Sequence, residues 1–465
     1  MIESMFSKSH KSSGKSFSHI IAIFCEAVGL AAIILSVALS APAQTEKILH
    51  AFSGRAGGSM PSSGVIFDAA GNLYGTTESG GGPQTCLGSG CGVVYELTPA
   101  ADGSWQELAL FRFRDTATGA SPLGNLTFDA SGSLYGAVFA GGGAYACYQG
   151  NIDGCGLIYK LSLDTPQWDE TVLEAFNLGV GGGIPNGGLA ADSFGNLYGT
   201  TGQGGDFANN CEGEGCGVAF ELSPMPSGEW KERALHTFTD GADGGFPIGA
   251  LVFDAAGNLY GAAEMGGTGV SCACGVIFEL SPVSGGLWKE TVLYNFTGGI
   301  DGTYPDAGLA FDAAGNLYGS TFHGGDLSAC SGQGCGIAFE LSPTSNGEWK
   351  ETVLHSFTGG ADGSTPGPLT VDTAGNIYGT TTEGGATGCG FHRTGCGVVF
   401  ELSPTGGSWN EIVLHAFLGG TDGNTPTYGV TLDARGNLYG TTVSGGLLNA
   451  CDFGFGCGVV YEIIP

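Results

Sequence analysis

Short segments of alternating apolar and polar residues, separated by glycine-rich turns, follow one another along almost the whole chain. One stretch reads Gly308-Leu-Ala-Phe-Asp, then Asn316-Leu-Tyr-Gly-Ser-Thr, then Cys335-Gly-Ile-Ala-Phe-Glu-Leu-Ser-Pro, then Trp349-Lys-Glu-Thr-Val-Leu-His-Ser-Phe. Each segment is rich in β-branched and aromatic residues and is bounded by Gly, Pro, Asn or Asp, which is typical of β-strands. No helical period appears after residue 43. The pattern predicts an all-β protein built from groups of four strands.

The group of four strands recurs with a nearly fixed spacing. Its marker, Gly-Asn-Leu-Tyr-Gly or a close variant, returns about every 60 residues, a period that indicates a repeat architecture. The seven copies begin at Gly71, Gly132, Gly195, Gly257, Gly315, Gly375 and Gly436. Four antiparallel strands per unit indicate a radial array in which each unit packs on the next. Seven units predict a seven-bladed β-propeller.

The two ends of the chain complement each other. The segment Gln44–Phe52 matches a fourth strand, because Leu49-His-Ala-Phe repeats Leu414-His-Ala-Phe, yet it has no unit of its own. The last unit, conversely, ends at Val459-Val-Tyr-Glu-Ile-Ile-Pro without a fourth strand. We expect the N-terminal strand to complete the seventh blade, which would close the ring and leave no open sheet edge.

Residues 1–43 stand outside the repeats. They carry Lys8, Lys11 and Lys15, an apolar run over 27–39 and then Ala41-Pro-Ala, which is the order of a secretory signal peptide, although a retained membrane anchor is an alternative. No second apolar segment follows, so we expect a monomeric propeller over 44–465 that is secreted, periplasmic or at the cell surface, with no membrane span after cleavage. The net charge of −30 argues against binding to nucleic acid or anionic membranes.

Two residue types recur in every unit or nearly so. An Asp stands three residues before a marker glycine in each unit, where its side chain caps a hairpin turn; the alternative is a calcium ligand. These are Asp68, Asp129, Asp192, Asp254, Asp312, Asp372 and Asp433. A Trp opens the fourth strand of six units, and packing between blades is the favoured interpretation over a ligand platform. These are Trp105, Trp168, Trp230, Trp288, Trp349 and Trp409.

Fourteen of the 15 cysteines form one pair per unit, in the loop between the second and third strands. Paired cysteines at repeated positions of an exported protein indicate disulfides, whereas zinc would need about four converging ligands. Cys272 and Cys274 are the least favourable pair, because a single residue separates them. The predicted bridges are Cys86–Cys91, Cys147–Cys155, Cys211–Cys216, Cys272–Cys274, Cys330–Cys335, Cys389–Cys396 and Cys451–Cys457.

Positions where the units differ are the better candidates for function, because the scaffold requires only that the units be alike. The dipeptide at the end of the second strand is one such place, and it gives the ligand-binding candidates Glu78, Glu264, His323 and Glu383. The connections between units give Asp243, Asp301, Asp362 and Asp422, which predict either a calcium-binding arc or Asp-Gly turns. No nucleophile motif or phosphate loop appears, so we assign no catalytic residue and no cofactor other than possible Ca²⁺.

The unit Gly-Leu-x-x-Asp-x-x-Gly-Asn-Leu-Tyr-Gly-Thr-Thr, followed by Gly-Gly and Cys-Gly-Val-Val-Phe-Glu-Leu-Ser-Pro, resembles the GloVer tandem repeat of bacterial exported proteins. The resemblance implies a bacterial surface or secreted protein without an assigned activity. Two hypotheses follow. One is a binding or scaffold propeller that recognises a glycan, peptide or envelope component through the face carrying the disulfides. The other is an extracellular carbohydrate enzyme, such as a lyase, lactonase or glycosidase.

Overall fold

Seven antiparallel sheets form the blades of a closed β-propeller over Thr45–Pro465. The predicted leader, residues 1–43, lies outside the described residues. Among the described residues, no helix is long and apolar enough to cross a membrane. The computed structural model describes residues 44–82, 86, 89–114, 118–143, 147, 154–163, 167–207, 211, 213–269, 272–306, 308–386, 389, 395–451 and 454–465.

The first strand, β1 (Thr45–Ala51), precedes the blades along the chain. Blade 1 contains β2 (Ser59–Pro61), β3 (Ile66–Phe67), β4 (Leu73–Ser79), β5 (Val93–Pro99) and β6 (Trp105–Arg112). Blade 2 contains β7 (Ala120–Phe128), β8 (Leu134–Ala140), β9 (Leu157–Ser162) and β10 (Asp169–Ala175). Blade 3 contains β11 (Gly183–Pro185), β12 (Ala190–Ala191), β13 (Leu197–Gln203), β14 (Val218–Pro224) and β15 (Trp230–Thr237).

Blade 4 contains β16 (Gly245–Phe253), β17 (Leu259–Met265), β18 (Val276–Val283) and β19 (Leu287–Asn295). Blade 5 contains β20 (Thr303–Pro305), β21 (Ala310–Phe311), β22 (Leu317–His323), β23 (Ile337–Pro343) and β24 (Trp349–Ser356). Blade 6 contains β25 (Ser364–Pro366), β26 (Thr370–Val371), β27 (Ile377–Glu383), β28 (Val398–Thr405) and β29 (Ser408–Ala416). Blade 7 contains β30 (Val430–Leu432), β31 (Leu438–Thr442) and β32 (Val459–Ile464). Single 3₁₀ turns occur at Arg55–Gly57, Cys330–Gly332 and Gly420–Asp422.

The ring closes as the sequence predicts. Strand β1 pairs antiparallel with β32, from Thr45 opposite Ile464 to Ala51 opposite Val459, and so supplies the outer strand of blade 7. Blade 7 also meets blade 1 near the axis, where the Thr441 hydroxyl donates to the Ser63 carbonyl at 2.8 Å. Blade 7 therefore has a fourth, outer strand like the other six blades.

Each blade buries apolar side chains against the next, giving seven core clusters for seven blade gaps. In the gap between blades 7 and 1, Phe52 is completely buried and its ring meets Tyr95 at 5.1 Å. The tryptophans contribute as predicted: Trp349 of blade 5 contacts Tyr260 of blade 4 at 6.1 Å between ring centroids. Burial between neighbouring blades therefore holds the ring together, since no single core serves the whole molecule.

The repeated aspartates cap their hairpins as predicted. Asp312 Oδ1 accepts the backbone N–H groups of Ala314 and Asn316, each at 2.9 Å, and Oδ2 accepts from the Asn316 amide and the Tyr318 hydroxyl. Burial opposes the charge of Asp312, but these hydrogen bonds prevail and lower its pKa. The same carboxylate thus fixes the turn and anchors the marker tyrosine.

All seven predicted disulfides are formed, with Cα–Cα distances between 5.0 Å and 5.5 Å. These distances lie in the normal range for a disulfide. The bridges lie on the face that also carries the connections between blades. A Cβ atom added at Gly359, where φ is +74°, would stand only 2.9 Å from Cys330 Sγ. This close approach requires glycine in the connection and packs it against the disulfide loop.

Candidate functional site

The innermost strands surround a channel that opens on the disulfide face. In blades 1 to 6 the first strand contains an x-Pro pair on that face, and in blade 7 the pair Thr425-Pro426 precedes β30. Residues after the proline line the channel in blades 2 to 7. The cavity has a volume of about 400 Å³, within the size range of small-molecule sites. Its polar and aromatic lining includes Asn125, Asn186, Asp306, Phe322, Thr365, Thr382, Thr427 and Tyr428.

Glycine backbone forms much of the remaining wall, because neighbouring inner strands touch there. A Cβ atom on Gly187 of blade 3 would lie 2.2 Å from the carbonyl oxygen of Gly249 in blade 4. The Asn125 side chain ties blade 2 to blade 1 by accepting the Gly64 N–H at 2.8 Å. The absence of side chains at the closest contacts leaves the channel open, and the few side chains that do project define its chemistry.

Acidic groups from different blades influence one another in the channel. Asp306 projects into it and is reached by solvent, yet the surrounding protein removes much of its hydration. This desolvation, together with the charge of Glu264 in the neighbouring blade, raises the pKa of Asp306 to about 7. Burial also raises the pKa values of Glu78 and Glu264. Asp306 therefore exchanges a proton near neutral pH.

Tyr428 of blade 7 connects this acidic group to blade 1. Its pKa is raised by burial, then by the charges of Glu78 and Asp306. The charges of Glu78 and Glu264 thus act on Tyr428 and Asp306 across blade boundaries. We call Glu78, Glu264, Asp306 and Tyr428 the channel cluster. No Lys or Arg occurs among the described residues that line the cavity, so the cluster favours neutral or cationic ligands over anions.

The four ligand-binding candidates from the sequence divide between two faces of their sheets. Side chains alternate along a strand, so Glu78 and Glu264 share the register position of Phe322 and Thr382, which line the cavity. His323 and Glu383 stand one residue further and point to the opposite face. The His323 ring packs edge-on against Phe322 at 4.6 Å and Tyr304 at 6.2 Å. The fold thus brings together the first pair and separates the second pair from it.

The four connection aspartates lie in four different blade gaps and do not share one site. Asp301 accepts the Tyr294 hydroxyl at 3.2 Å and the Thr297 N–H at 2.8 Å. Asp243 and Asp362 are each hydrogen-bonded to a histidine of the preceding outer strand. The distance from Oδ2 to the histidine Nε2 is 3.1 Å for Asp243 and His236, and 3.3 Å for Asp362 and His355. Asp422 lies 3.3 Å from His415 Nε2. In each of these gaps a glutamate of the following blade is a further ionisable group.

Two members of the channel cluster, Asp306 and Tyr428, were missed by the sequence reasoning. The signal that could have found them is the one used for Glu78 and Glu264, since the residues after the repeated x-Pro also differ between units. The repeated proline marks the equivalent position in each unit: Pro305 directly precedes Asp306, and Pro426 stands two residues before Tyr428. The histidine–aspartate–glutamate groups of the blade gaps were also missed, because each combines residues from two units.

The profile of one protein family, the Gloeobacter/Verrucomicrobia repeat, matches residues 144–392 and 315–465. Together these ranges cover more than half of the chain. The chain belongs to the Gloeobacter/Verrucomicrobia (GloVer) repeat family. This confirms the resemblance seen in the repeated unit. In the structure each repeated unit forms one propeller blade, and only blade 7 takes its outer strand, β1, from the N-terminal segment.

The GloVer propeller has no match among curated proteins. Solved structures with a similar fold include a fungal alcohol oxidase in complex with copper (13% identity, 90% of this chain and 76% of that chain, TM-score 0.50). A periplasmic gluconolactonase from Pseudomonas aeruginosa is 14% identical over 84% of this chain and 99% of that chain, with a TM-score of 0.47. A sugar dehydrogenase from Streptomyces coelicolor is 13% identical over 91% and 99%, with a TM-score of 0.39. Identities this low show the fold alone.

Proposed function

We propose that this GloVer propeller is an exported binding protein that recognises a neutral, hydroxyl-rich ligand, a glycan, at the disulfide-face end of its channel. Export is supported by the predicted leader and by one disulfide in every blade, since such bonds persist in oxidising compartments. The observation that carries the ligand class is a cavity lined by Asp306 and Tyr428, whose pKa values respond to the charges of Glu264 and Glu78 from two further blades.

The chemistry of this cavity suits hydroxyl groups. Amide and hydroxyl side chains such as Asn125 and Thr427 can both donate and accept hydrogen bonds. Phe322 is 39% exposed and offers an apolar ring beside them. Asp306, whose pKa lies near 7, can accept a hydrogen bond when charged and donate one when protonated. Unsatisfied ligand hydroxyls would be costly, so a site with both donors and acceptors favours polyols over purely apolar ligands.

A glycan array followed by isothermal titration of the best ligand tests this proposal. We expect Asp306→Ala and Tyr428→Phe to weaken binding about tenfold or more, because each removes a hydrogen-bonding group worth roughly 1.5 kcal/mol. Glu383→Gln is the matched control, since Glu383 lies on the other face of its strand, and it should leave the affinity unchanged. Binding to peptide libraries but to no glycan would refute the ligand class.

A carbohydrate-cleaving enzyme is the second candidate, and one observation favours it. Asp306 and Glu264 are neighbouring carboxyl groups, and the one with its pKa near 7 could act as a general acid beside an ionised partner. Incubation of the protein with bound glycans distinguishes the two functions. If the wild-type protein releases cleavage products and the Asp306→Asn and Glu264→Gln variants do not, the protein is an enzyme. If the ligand stays intact for hours and its dissociation constant does not change, the result supports binding alone.

A further inference from the structure

The outer parts of the blade gaps repeat one arrangement of ionisable groups. The fourth strand of every blade carries a glutamate two positions after its tryptophan position, and one oxygen of each is buried without a hydrogen-bond partner. In three gaps this glutamate faces a histidine and an aspartate from the preceding blade and connection. The seven glutamates are Glu46, Glu107, Glu170, Glu232, Glu290, Glu351 and Glu411.

The gap between blades 6 and 7 differs from the other two histidine-containing gaps of this kind. In the gaps at His236 and His355, the imidazole Nε2 is hydrogen-bonded to its aspartate. His415 Nε2 also lies 3.3 Å from Asp422, but it is buried and not aligned for a hydrogen bond. Among the described residues, Glu46, His415 and Asp422 form the group whose potential ligand atoms all lie within 4.8 Å of one another.

We propose that Glu46, His415 and Asp422 bind one divalent transition-metal ion, of the Zn²⁺ type, which fastens the N-terminal strand to blade 6 where the ring closes. The donor set is one imidazole nitrogen and two carboxylates, which suits zinc and related ions, whereas calcium prefers six to eight oxygen ligands. A fourth position would remain for water. The proposal changes the metal expected at Asp422 and is independent of the channel ligand.

The spacing and charge of the site support a cation. His415 Nε2 and Asp422 Oδ1 lie 3.3 Å apart, which is close to the separation of two ligand atoms on a tetrahedral zinc ion. The Glu46 carboxylate oxygen lies within 4.8 Å of both atoms, so it would move closer to them on binding the ion. Glu46 and Asp422 bring two carboxylates together, and a bound cation would compensate their charge. The side chains of His415 and Asp422 remain 19% and 18% exposed, which gives an ion access.

The position of the site gives the ion a structural role. Glu46 belongs to β1, which completes blade 7. His415 lies near the end of β29, and Asp422 lies in the connection that follows this strand. An ion held by all three would bridge two blades and hold the N-terminal strand in place. Metal binding of this kind stabilises the folded state because the unfolded chain cannot assemble the ligands.

The full-length protein, treated with a chelator and dialysed, is titrated with Zn²⁺ and separately with Ca²⁺ by calorimetry, and with Co²⁺ by visible absorption. We expect one Zn²⁺ per chain, a tetrahedral Co²⁺ spectrum and a higher Tm with Zn²⁺. Glu46→Gln and His415→Gln should each raise the Zn²⁺ dissociation constant at least tenfold and abolish the rise in Tm. Both substitutions preserve polarity and size, and circular dichroism checks that the variants fold.

The chain contains its own matched controls. Glu411→Gln and His355→Gln alter the same residue types in the gap between blades 5 and 6, and we expect them to leave Zn²⁺ affinity unchanged. Glu107→Gln serves in the gap between blades 7 and 1, where Gly57 replaces the aspartate. The proposal fails if Zn²⁺ does not bind, if Glu46→Gln and His415→Gln bind it normally, if Ca²⁺ binds more tightly than Zn²⁺ at this site, or if several gaps bind it equally.

Discussion

Three buried tyrosine hydroxyls give the sharpest stability prediction. Tyr95, Tyr159 and Tyr461 occupy the third-strand position opposite the last glycine of the marker and are completely buried. Their hydroxyls have no hydrogen-bond partner among the described residues. The other four blades place a buried phenylalanine there: Phe220, Phe278, Phe339 and Phe400. The chain therefore shows that the position accepts a ring without a hydroxyl.

Replacing all three tyrosines by phenylalanine should stabilise the protein. A buried polar group without a partner costs about 1–3 kcal/mol, so we expect a gain of about 1–2 kcal/mol per site. The three sites lie in different blades and should act additively, giving about 3–6 kcal/mol in total. For a unit of about 420 residues, with an unfolding entropy near 2.1 cal/mol/K per residue, this raises Tm by roughly 3–7 °C.

Differential scanning fluorimetry and urea unfolding measure the effect, with Phe339→Tyr as the reverse substitution in blade 5. We expect Phe339→Tyr to lower the free energy of unfolding by about 1–2 kcal/mol, since it introduces the same unpaired hydroxyl. A less stable triple variant would refute the reasoning. It would mean that an ordered water joins each hydroxyl to the nearby glutamate, Glu107 in the case of Tyr95, whose charge adds to burial in raising the tyrosine pKa.

Three other perturbations test the scaffold. Gly187→Ala should cost about 1–3 kcal/mol in urea unfolding because its Cβ would meet the Gly249 carbonyl, whereas Gly82→Ala, which meets no atom, should cost little and serves as its control. Removing the Cys330–Cys335 bridge by a double alanine substitution should lower the free energy of unfolding by roughly 2 kcal/mol, because the unfolded chain regains the entropy of its open loop. An unchanged urea midpoint in that variant would contradict the loop-entropy argument. Burial raises the pKa values of Glu170 and Glu232 from 4.5 to about 7, so their favourable contribution is complete below pH 4.5 and is lost as pH rises through 7. Tm should therefore fall over that window, and Glu170→Gln with Glu232→Gln should flatten the fall; an equally steep profile in the double variant would contradict this.

The scaffold could be predicted from the sequence because every blade repeats the same strands and turns. The period of the marker fixed the number of blades, and the match between Leu49-His-Ala-Phe and Leu414-His-Ala-Phe identified the closing strand. The disulfides followed from one cysteine pair per loop. Local chemistry also explained Asp312, since an Asp three residues before Gly caps a turn wherever it occurs.

The candidate site could be predicted only in part. Variation between units pointed to Glu78 and Glu264, but it pointed equally to His323 and Glu383, and only the observed register separates the two faces. Asp306 and Tyr428 also lie at variable positions, yet nothing in a linear sequence says which of several variable positions will reach the channel. Side-chain direction depends on where each strand begins to pair.

The sequence by itself determined the strands, their grouping into seven blades, the turns and the disulfides, because these depend on contacts within one unit or between identical units. The tertiary structure decided which ionisable groups share a site. Glu46 and His415 lie near opposite ends of the chain and meet only because the ring closes. Glu264 and Asp306 belong to neighbouring blades and interact because those blades pack on each other. The raised pKa values of Glu46 and Asp306 have the same origin, since burial and neighbouring charge are properties of the assembled molecule.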